Sequence, residues 1–298
     1  MTKVEKALKQ NHHALGVFLD IEGAFDSIPH TTIKKTLDKT EAKGMVSNWI
    51  QYMVQNRFIV ITAEDIEIER KTKRGCPQGG VLSPFLWNLV IDELLSILDK
   101  HKQAQAYADD LYAMTTGICP QTIFRKMNTI LKEITNWCEE SGLKISTPKT
   151  HALLWTRTRD RNIFPTHIII DHAKVTLSDS TKYLGIIINN KLNFNDHIDH
   201  QVTTCKNSLF AAKRIIDKKW GLNPKNTVWL YEAVTLPKLL YGCLTWGPKL
   251  TQTQIKKLET VQTLANHLIT RCLGSTPKML LIQSCINQVS KSQSETRF

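Results

Sequence analysis

A chain of 298 residues with 42% hydrophobic and 22% charged side chains is long enough for two domains, or one large and one small, and apolar enough to bury a core. No stretch approaches the ~18–20 uncharged apolar residues of a membrane span, and the N-terminus has no apolar secretion segment, so membrane embedding is excluded and an intracellular setting, cytoplasmic or nuclear, is expected. The seven cysteines have no C-x-x-C spacing and read as reduced thiols, while 39 basic against 27 acidic residues, net +12, point to a polyanionic partner.

Along the chain, Lys3, Lys6 and Lys9 fall on one face of a short N-terminal helix. Residues 14–19, Ala-Leu-Gly-Val-Phe-Leu, form a short apolar run ending in Asp20, the pattern of a buried strand with an acid at its C-terminal end. Ser83 and Pro84 predict a helix start, with Ser as N-cap and Pro at the first helical position, and Phe85, Leu86, Leu89, Val90 and Leu94 as its apolar stripe. Residues 105–114 place apolar and aromatic arms around Asp109 and Asp110, which predicts a tight β-hairpin with both acids at the turn. From Gln121 to Ser141 apolar positions recur at steps of three and four, and Gly142 is placed to cap the helix they predict. Residues 168–170 and 183–188 read as strands.

The texture beyond about residue 195 is helical. Asn223-Pro224 predicts one helix start, and Thr251-Gln-Thr-Gln254 is a capping box opening another, which carries Ile255, Leu258, Val261, Leu264, Leu268 and Cys272 before Gly274. His197 and His200 have metal-ligand chemistry, but with no Cys or further His nearby they read as part of a polar, solvated turn. Residues 1–200 carry 25 basic and 23 acidic side chains, whereas 201–298 carry 14 and 4. The positive excess therefore lies in the last third, where it suits a phosphate backbone.

Asp20 at a strand end and Asp109 and Asp110 at a hairpin turn can converge if the two elements are neighbours in one sheet. Carboxylates that close raise one another's pKa unless a cation lies between them. Mg²⁺ is the natural occupant, and a pair of such ions can serve phosphoryl transfer. Unrelated surface turns remain the other meaning of an isolated Asp-Asp pair.

Three longer signatures accompany these acids: Phe-Leu-Asp-Ile-Glu-Gly-Ala-Phe-Asp over 18–26, Arg-Gly-Cys-Pro-Gln-Gly-Gly-Val-Leu-Ser-Pro over 74–84 and Tyr-Ala-Asp-Asp over 107–110. Gly-Leu-Lys-Ile-Ser-Thr-Pro-Lys-Thr over 142–150 and Tyr-Leu-Gly over 183–185 follow them. In order and spacing the set resembles a reverse transcriptase of the non-LTR retrotransposons, jockey-like and R1-like. The downstream run Leu-Tyr-Gly-Cys-Leu-Thr-Trp-Gly over 240–247 extends the likeness over nearly the whole chain.

The resemblance implies an α+β fold: a right-hand polymerase palm, with a small antiparallel sheet backed by helices, and then a helical, thumb-like domain. It implies RNA-directed DNA polymerase activity with two Mg²⁺ (Mn²⁺ as an alternative), on an RNA template with a DNA primer and dNTPs. Asp20, Asp109 and Asp110 match the metal-binding carboxylates, and Ile21 would lend its backbone carbonyl. Phe25 falls where an aromatic ring excludes a ribose 2′-hydroxyl. Pro77, Gln78 and Gly79 match the loop that shapes the nucleotide and template pocket. Lys149 matches a lysine that protonates departing pyrophosphate, and Tyr183, Leu184 and Gly185 match the primer grip. Cys76 reads as a small hydrophobe, Gly80 stands where Ser is expected, and Asp26 is expected to cap a helix beginning near Ser27.

The implied divisions are residues 1–13 as a remnant of the fingers, 14–194 as palm, 195–282 as a basic thumb and 283–298 as a disordered tail. The short lead before Asp20 reads as a truncated copy. The rival readings are a catalytically inactive remnant that only binds nucleic acid, an RNA-directed RNA polymerase on the same palm, and a nuclease.

Overall fold

In the computed structural model the described residues are 2–40, 44–63, 66–77, 79–99, 104–215 and 224–270. They fall into two compact units, Met1–Leu184 and Gly185–Phe298. The first comprises α1 (Thr2–Lys9), β1 (His13–Asp20), α2 (Ala24–Ser27), α3 (His30–Lys39), α4 (Met45–Gln55), β2 (Phe58–Ala63), β3 (Ile66–Lys71), α5 (Ser83–Leu98), β4 (Ala104–Tyr107), β5 (Asp110–Gly117), α6 (Pro120–Ser141), β6 (His151–Trp155), β7 (His167–Ile170), β8 (Ala173–Thr176) and β9 (Ser180–Tyr183). The second comprises β10 (Ile186–Asn189), α7 (Asn195–Ile215), α8 (Pro224–Leu230), α9 (Leu236–Leu239), α10 (Cys243–Trp246) and α11 (Gln252–Thr270).

The first unit is built on a four-stranded antiparallel sheet in the order β4-β5-β1-β6. Successive side chains of a strand face opposite sides, so β1 sends Leu15, Val17 and Leu19 into the helical side. There they join Leu86, Val90 and Leu94 of α5 and Met127, Ile130 and Ile134 of α6 in one buried core. Each such side chain stabilises the fold by about 1.5–3 kcal/mol relative to exposure. The alternate residues Gly16 and Phe18 face Trp155 and Tyr112 on the other side. Gly142 ends α6 in a left-handed conformation, φ 68°, as its position after the last apolar residue predicts.

Among its described residues the second unit is helical apart from β10. On α7 the buried positions Ile198, Val202, Cys205, Leu209 and Ala212 follow helical spacing, and α7 packs against α11. The capping box at the start of α11 forms reciprocally: Thr251 Oγ1 accepts from the Gln254 N–H at 3.3 Å, and Gln254 Oε1 accepts from the Thr251 N–H at 2.9 Å. The architecture is α+β, an antiparallel sheet backed by helices and then a helical segment. Among the described residues no helix is long and apolar enough to cross a membrane.

Several local expectations are corrected. Ser83 is the first residue of α5, with Leu82 at its N-cap, and its hydroxyl is drawn away to the Pro77 carbonyl. Phe85 is exposed, while Trp87 and Ile91 are buried in its stead, because the apolar stripe lies further round the helix. The apolar run 183–188 is broken into β9 and β10 by Leu184 and Gly185, both at positive φ (46° and 77°). Asp26 lies inside α2, whose N-cap is Gly23, and Pro29 occupies the N-cap of α3. His197 is no part of a solvated turn: it sits in the first turn of α7, fully buried against Trp246 at 5.9 Å between rings. On α11 the buried stripe is Val261, Ala265 and Ile269, one residue on from the expected Leu264 and Leu268. Asn223, Cys272, Gly274 and the 283–298 tail lie outside the described residues.

Candidate active site

Antiparallel register sets Asp20, the last residue of β1, opposite Asp110, the first of β5. The Asp20 carbonyl accepts from the Ser146 N–H at 2.8 Å, and the Glu22 N–H donates to the Lys144 carbonyl at 2.8 Å. Both bonds run to the β6 side of β1, so Asp20 and Asp110 face each other as a non-hydrogen-bonded pair. That is the arrangement with Cα atoms about 4.5 Å apart and side chains closest. The same alternation turns the Ile21 carbonyl toward the β5 side of the strand.

The electrostatics follow from this crowding. The Asp110 carboxyl is raised above its ordinary range, first by burial and then by Asp109 and Asp20. Asp20 Oδ2 is buried with no hydrogen-bond partner. Lys149 Nζ, on the 3₁₀ turn Thr147–Lys149, stands 3.3 Å from that oxygen, at ion-pair distance without hydrogen-bond geometry. The lysine side chain is 70% exposed, so the pair offsets charge more than it stabilises the fold. An unpartnered carboxylate oxygen beside a second, reluctantly ionised carboxylate suits a hard cation that prefers oxygen, such as Mg²⁺. Among the described residues no three His, Cys, Asp or Glu side chains are already gathered as a ready-made cage; the structure pairs Asp20 with Asp110 and leaves Asp109 in the turn beside them.

Period-two alternation puts Phe18 and Tyr112 on the face that carries these acids. Their rings are 4.8 Å apart, and Tyr183 lies 5.0 Å from Phe18 and 5.9 Å from Tyr112. Burial and then Asp110 push the Tyr183 phenol up to about 12, and burial raises Tyr112 as well. Both stay protonated at neutral pH and give the carboxylates a largely apolar wall.

The turn between β4 and β5 has only two residues, Ala108 and Asp109. Ala108 takes φ 52°, which is rare for a residue with a Cβ and is disfavoured by about 1–2 kcal/mol. The Trp87 indole Nε1–H donates to the Ala108 carbonyl at 2.6 Å. Phe25, half-buried on α2, packs on the same indole with ring centroids 5.8 Å apart.

The loop over 74–77 is clamped to α2 and its exit. The Cys76 N–H donates to the Phe25 carbonyl at 2.7 Å and the Gly75 N–H to the Ile28 carbonyl at 2.8 Å. The Gly75 carbonyl accepts from Arg57 at 2.8 Å and from the His30 ring at 3.2 Å. Arg74 donates to the Ser27 and Gly142 carbonyls at 3.1 Å each. Gly75 is required twice over, since it sits at φ 89° and a Cβ there would lie 2.9 Å from the Asp26 carbonyl oxygen. Cys76 is buried and its thiol is pushed up by burial, so it behaves as a hydrophobe. At Gly80 a Cβ would meet the Pro77 carbonyl oxygen and Ser83 Oγ at 3.1 Å, which disfavours the expected Ser.

Asp20, Ile21, Asp109, Asp110, Lys149 and Tyr183 thus share one end of the sheet. Phe25 stands on the adjoining short helix, Pro77 ends the clamped loop and the exposed Gly79 lies beyond it. Gln78 lies outside the described residues. The supporting roles of Phe18, Tyr112, Arg57, Arg74 and Trp87 escaped the sequence reading. Phe18 and Tyr112 had a signal, each two residues from an aspartate and so on its face, whereas nothing local marks Trp87 or Arg57.

Residues 1–188 match the family model for reverse transcriptase (RNA-dependent DNA polymerase). The chain is 29% identical over 234 residues to a putative 115 kDa protein in the type-1 retrotransposable element R1DM of Drosophila melanogaster, covering 78% of this chain and 22% of that protein. It is 24% identical over 270 residues to the probable RNA-directed DNA polymerase from transposon X-element of the same fly, covering 89% of this chain and 29% of the relative. A third similar protein is the RNA-directed DNA polymerase from mobile element jockey of Drosophila funebris, 23% identical, with 97% of this chain and 33% of the relative covered. The chain therefore spans about a quarter to a third of the length of these relatives.

Proposed function

The chain belongs to the reverse transcriptase family, and on that footing we propose that it acts as the RNA-directed DNA polymerase of a non-LTR retrotransposon, adding dNTPs to a DNA primer 3′-hydroxyl on an RNA template. The observation that carries the reading is the placement of Asp20 opposite Asp110, with Asp109 in the turn beside them and Lys149 at 3.3 Å from Asp20. Two Mg²⁺ ions held by Asp20, Asp109, Asp110 and the Ile21 carbonyl (Mn²⁺ in their place) would lower the pKa of the primer hydroxyl and neutralise the triphosphate.

The chain's own groups supply the rest. Lys149 shifts from Asp20 to the leaving pyrophosphate and gives it a proton. Phe25, backed by Trp87, keeps the space beside the sugar too narrow for a 2′-hydroxyl. Pro77, Gln78 and Gly79 shape the nucleotide and template pocket, following Gly75 and Cys76, whose backbone is tied to α2 and its exit. Tyr183, Leu184 and Gly185 hold the primer end. The palm runs to about residue 194. The helical, basic remainder serves as a thumb that grips the primer–template backbone through phosphates without reading sequence.

The test is primer extension with Mg²⁺, an RNA template and a DNA primer, comparing wild type with an Asp109→Asn, Asp110→Asn double variant. Extension by the wild type and a loss of at least about 100-fold in the variant is the expected result. No extension by the wild type, with both proteins binding the duplex equally, would replace this reading with that of a nucleic-acid-binding remnant. Extension unaffected by the double substitution would reject the carboxylate assignment.

A further inference from the structure

Trp87 touches no substrate in the polymerase reading, yet it is bonded to the most constrained part of the site. It is buried to 1% on α5, and α5 is the helix that follows the clamped loop. Its one polar group, the indole N–H, reaches across 21 residues of sequence to the Ala108 carbonyl at 2.6 Å. The peptide held in this way is the one that joins Ala108 to Asp109. Rotation of that peptide changes ψ of Ala108 and φ of Asp109, and so swings the Asp109 side chain. Ala108 itself stands at φ 52°, a left-handed conformation that a residue with a Cβ keeps only where its surroundings hold the turn. The opposite edge of the site leans on the same side chain, since the Phe25 ring lies 5.8 Å from the indole at 45°.

Resting on the polymerase reading, we propose that Trp87 is a positioning residue. Its N–H holds the carbonyl of the Ala108–Asp109 peptide, and through it the direction of the Asp109 carboxylate relative to Asp20 and Asp110. Its ring sets the height of Phe25 over the nucleotide sugar. One buried side chain then couples two properties that chemistry treats separately, cation affinity and sugar discrimination. A core tryptophan with no such role needs only some acceptor for its N–H. In that case deleting the N–H changes stability alone.

The discriminating change is 3-benzothienylalanine placed at position 87, which keeps the bicyclic ring and replaces the N–H with sulfur. Trp87→Phe is the genetically simpler companion. Three readouts are compared with wild type: Mn²⁺ binding to the free protein, hydrogen exchange of the Asp109 and Asp110 amides, and the dNTP-to-rNTP preference in primer extension. Loss of one hydrogen bond at the turn predicts Mn²⁺ affinity about fivefold weaker and exchange about fivefold faster, beside a fall of a few degrees in melting temperature. Trp87→Phe, which also thins the support under Phe25, is expected to lower sugar discrimination in addition. Mn²⁺ affinity and amide exchange within 1.5-fold of wild type in the benzothienyl protein would overturn the proposal, whatever its melting temperature. If the wild type neither binds Mn²⁺ nor extends a primer, the polymerase reading falls first and this one with it. If the wild type does both and only the variants are unchanged, this one falls alone.

Discussion

Gly16 offers a clean test of how the sheet is packed behind the carboxylates. A Cβ at that position would stand 2.6 Å from Cζ3 and 2.9 Å from Cη2 of Trp155, and 3.0 Å from Cε2 of Tyr112. Trp155 is fully buried, so its ring cannot swing into solvent to make room. Gly16 is absent from the positive-φ positions, which leaves the penalty of a side chain steric and not conformational. Overpacking of this kind costs about 1–3 kcal/mol, offset by about 0.4–1 kcal/mol from the stiffer unfolded chain. Gly16→Ala is therefore expected to destabilise the first unit by roughly 0–2.5 kcal/mol, centred near 1.3, a drop of about 3–5 °C at the usual few degrees per kcal/mol. Because the two nearest atoms belong to the six-membered ring of Trp155, Trp155→Phe removes them and leaves Tyr112 Cε2 at 3.0 Å. In that background Gly16→Ala should cost markedly less, a coupling of about 1 kcal/mol. Thermal melts of the four proteins, followed by near-UV circular dichroism, give the cycle directly. Equal costs for Gly16→Ala in both backgrounds would refute the steric argument.

Phe25→Ala should admit ribonucleotides, lowering the dNTP-to-rNTP preference in primer extension by at least tenfold; unchanged discrimination would remove Phe25 from the gate. His197 bears on pH. It is held neutral by burial and then by His200, with its pKa below the ordinary 6.5. Its Nε2 has no partner and its Nδ1 accepts from the Ile187 N–H at 3.4 Å. Below about pH 6.5 the unfolded chain takes up a proton that the folded imidazole refuses. Stability is thus complete at neutral pH and is lost as pH falls, by at most about 1.4 kcal/mol at pH 5.5. Urea melts at pH 7.5 and 5.5 should show that loss diminished in His197→Gln, and an identical pH slope in the two proteins would contradict it. Gln254→Ala should cost the second unit about 1–2 kcal/mol, since Gln254 closes the capping box and its Nε2 also donates to the Asn193 carbonyl at 2.7 Å and to Asn195 Oδ1 at 2.6 Å. A melting temperature unchanged within a degree would show those bonds to be replaceable by water.

What the sequence determines by itself here is local in origin. Strand β1, the β4–β5 hairpin (with Asp109 in its turn and Asp110 opening β5, not both acids at the turn), the long helix α6 with Gly142 behind it and the capping box of α11 are written in patterns a few residues long. They depend on period-two or helical alternation, on a terminal glycine, and on a Thr and a Gln three residues apart. The reverse transcriptase resemblance is likewise legible from motifs in order. Other features were decided only by tertiary structure, because they depend on contacts between segments far apart in the chain. Pairing of Asp20 with Asp110 is a register across 90 residues; Asp110 is raised by burial first and then by Asp109 and Asp20, and Asp20 Oδ2 is left without a hydrogen bond. The break at Leu184–Gly185 interrupts what is, by composition, one apolar strand. His197 is polar in a polar stretch and yet buried, because α7 turns its first residues toward Trp246. Trp87 is one apolar residue among many on α5 until its N–H meets the Ala108 carbonyl. Backbone patterns record which face of an element is apolar; the partner that each buried polar group finds is fixed only when the distant segments are packed together.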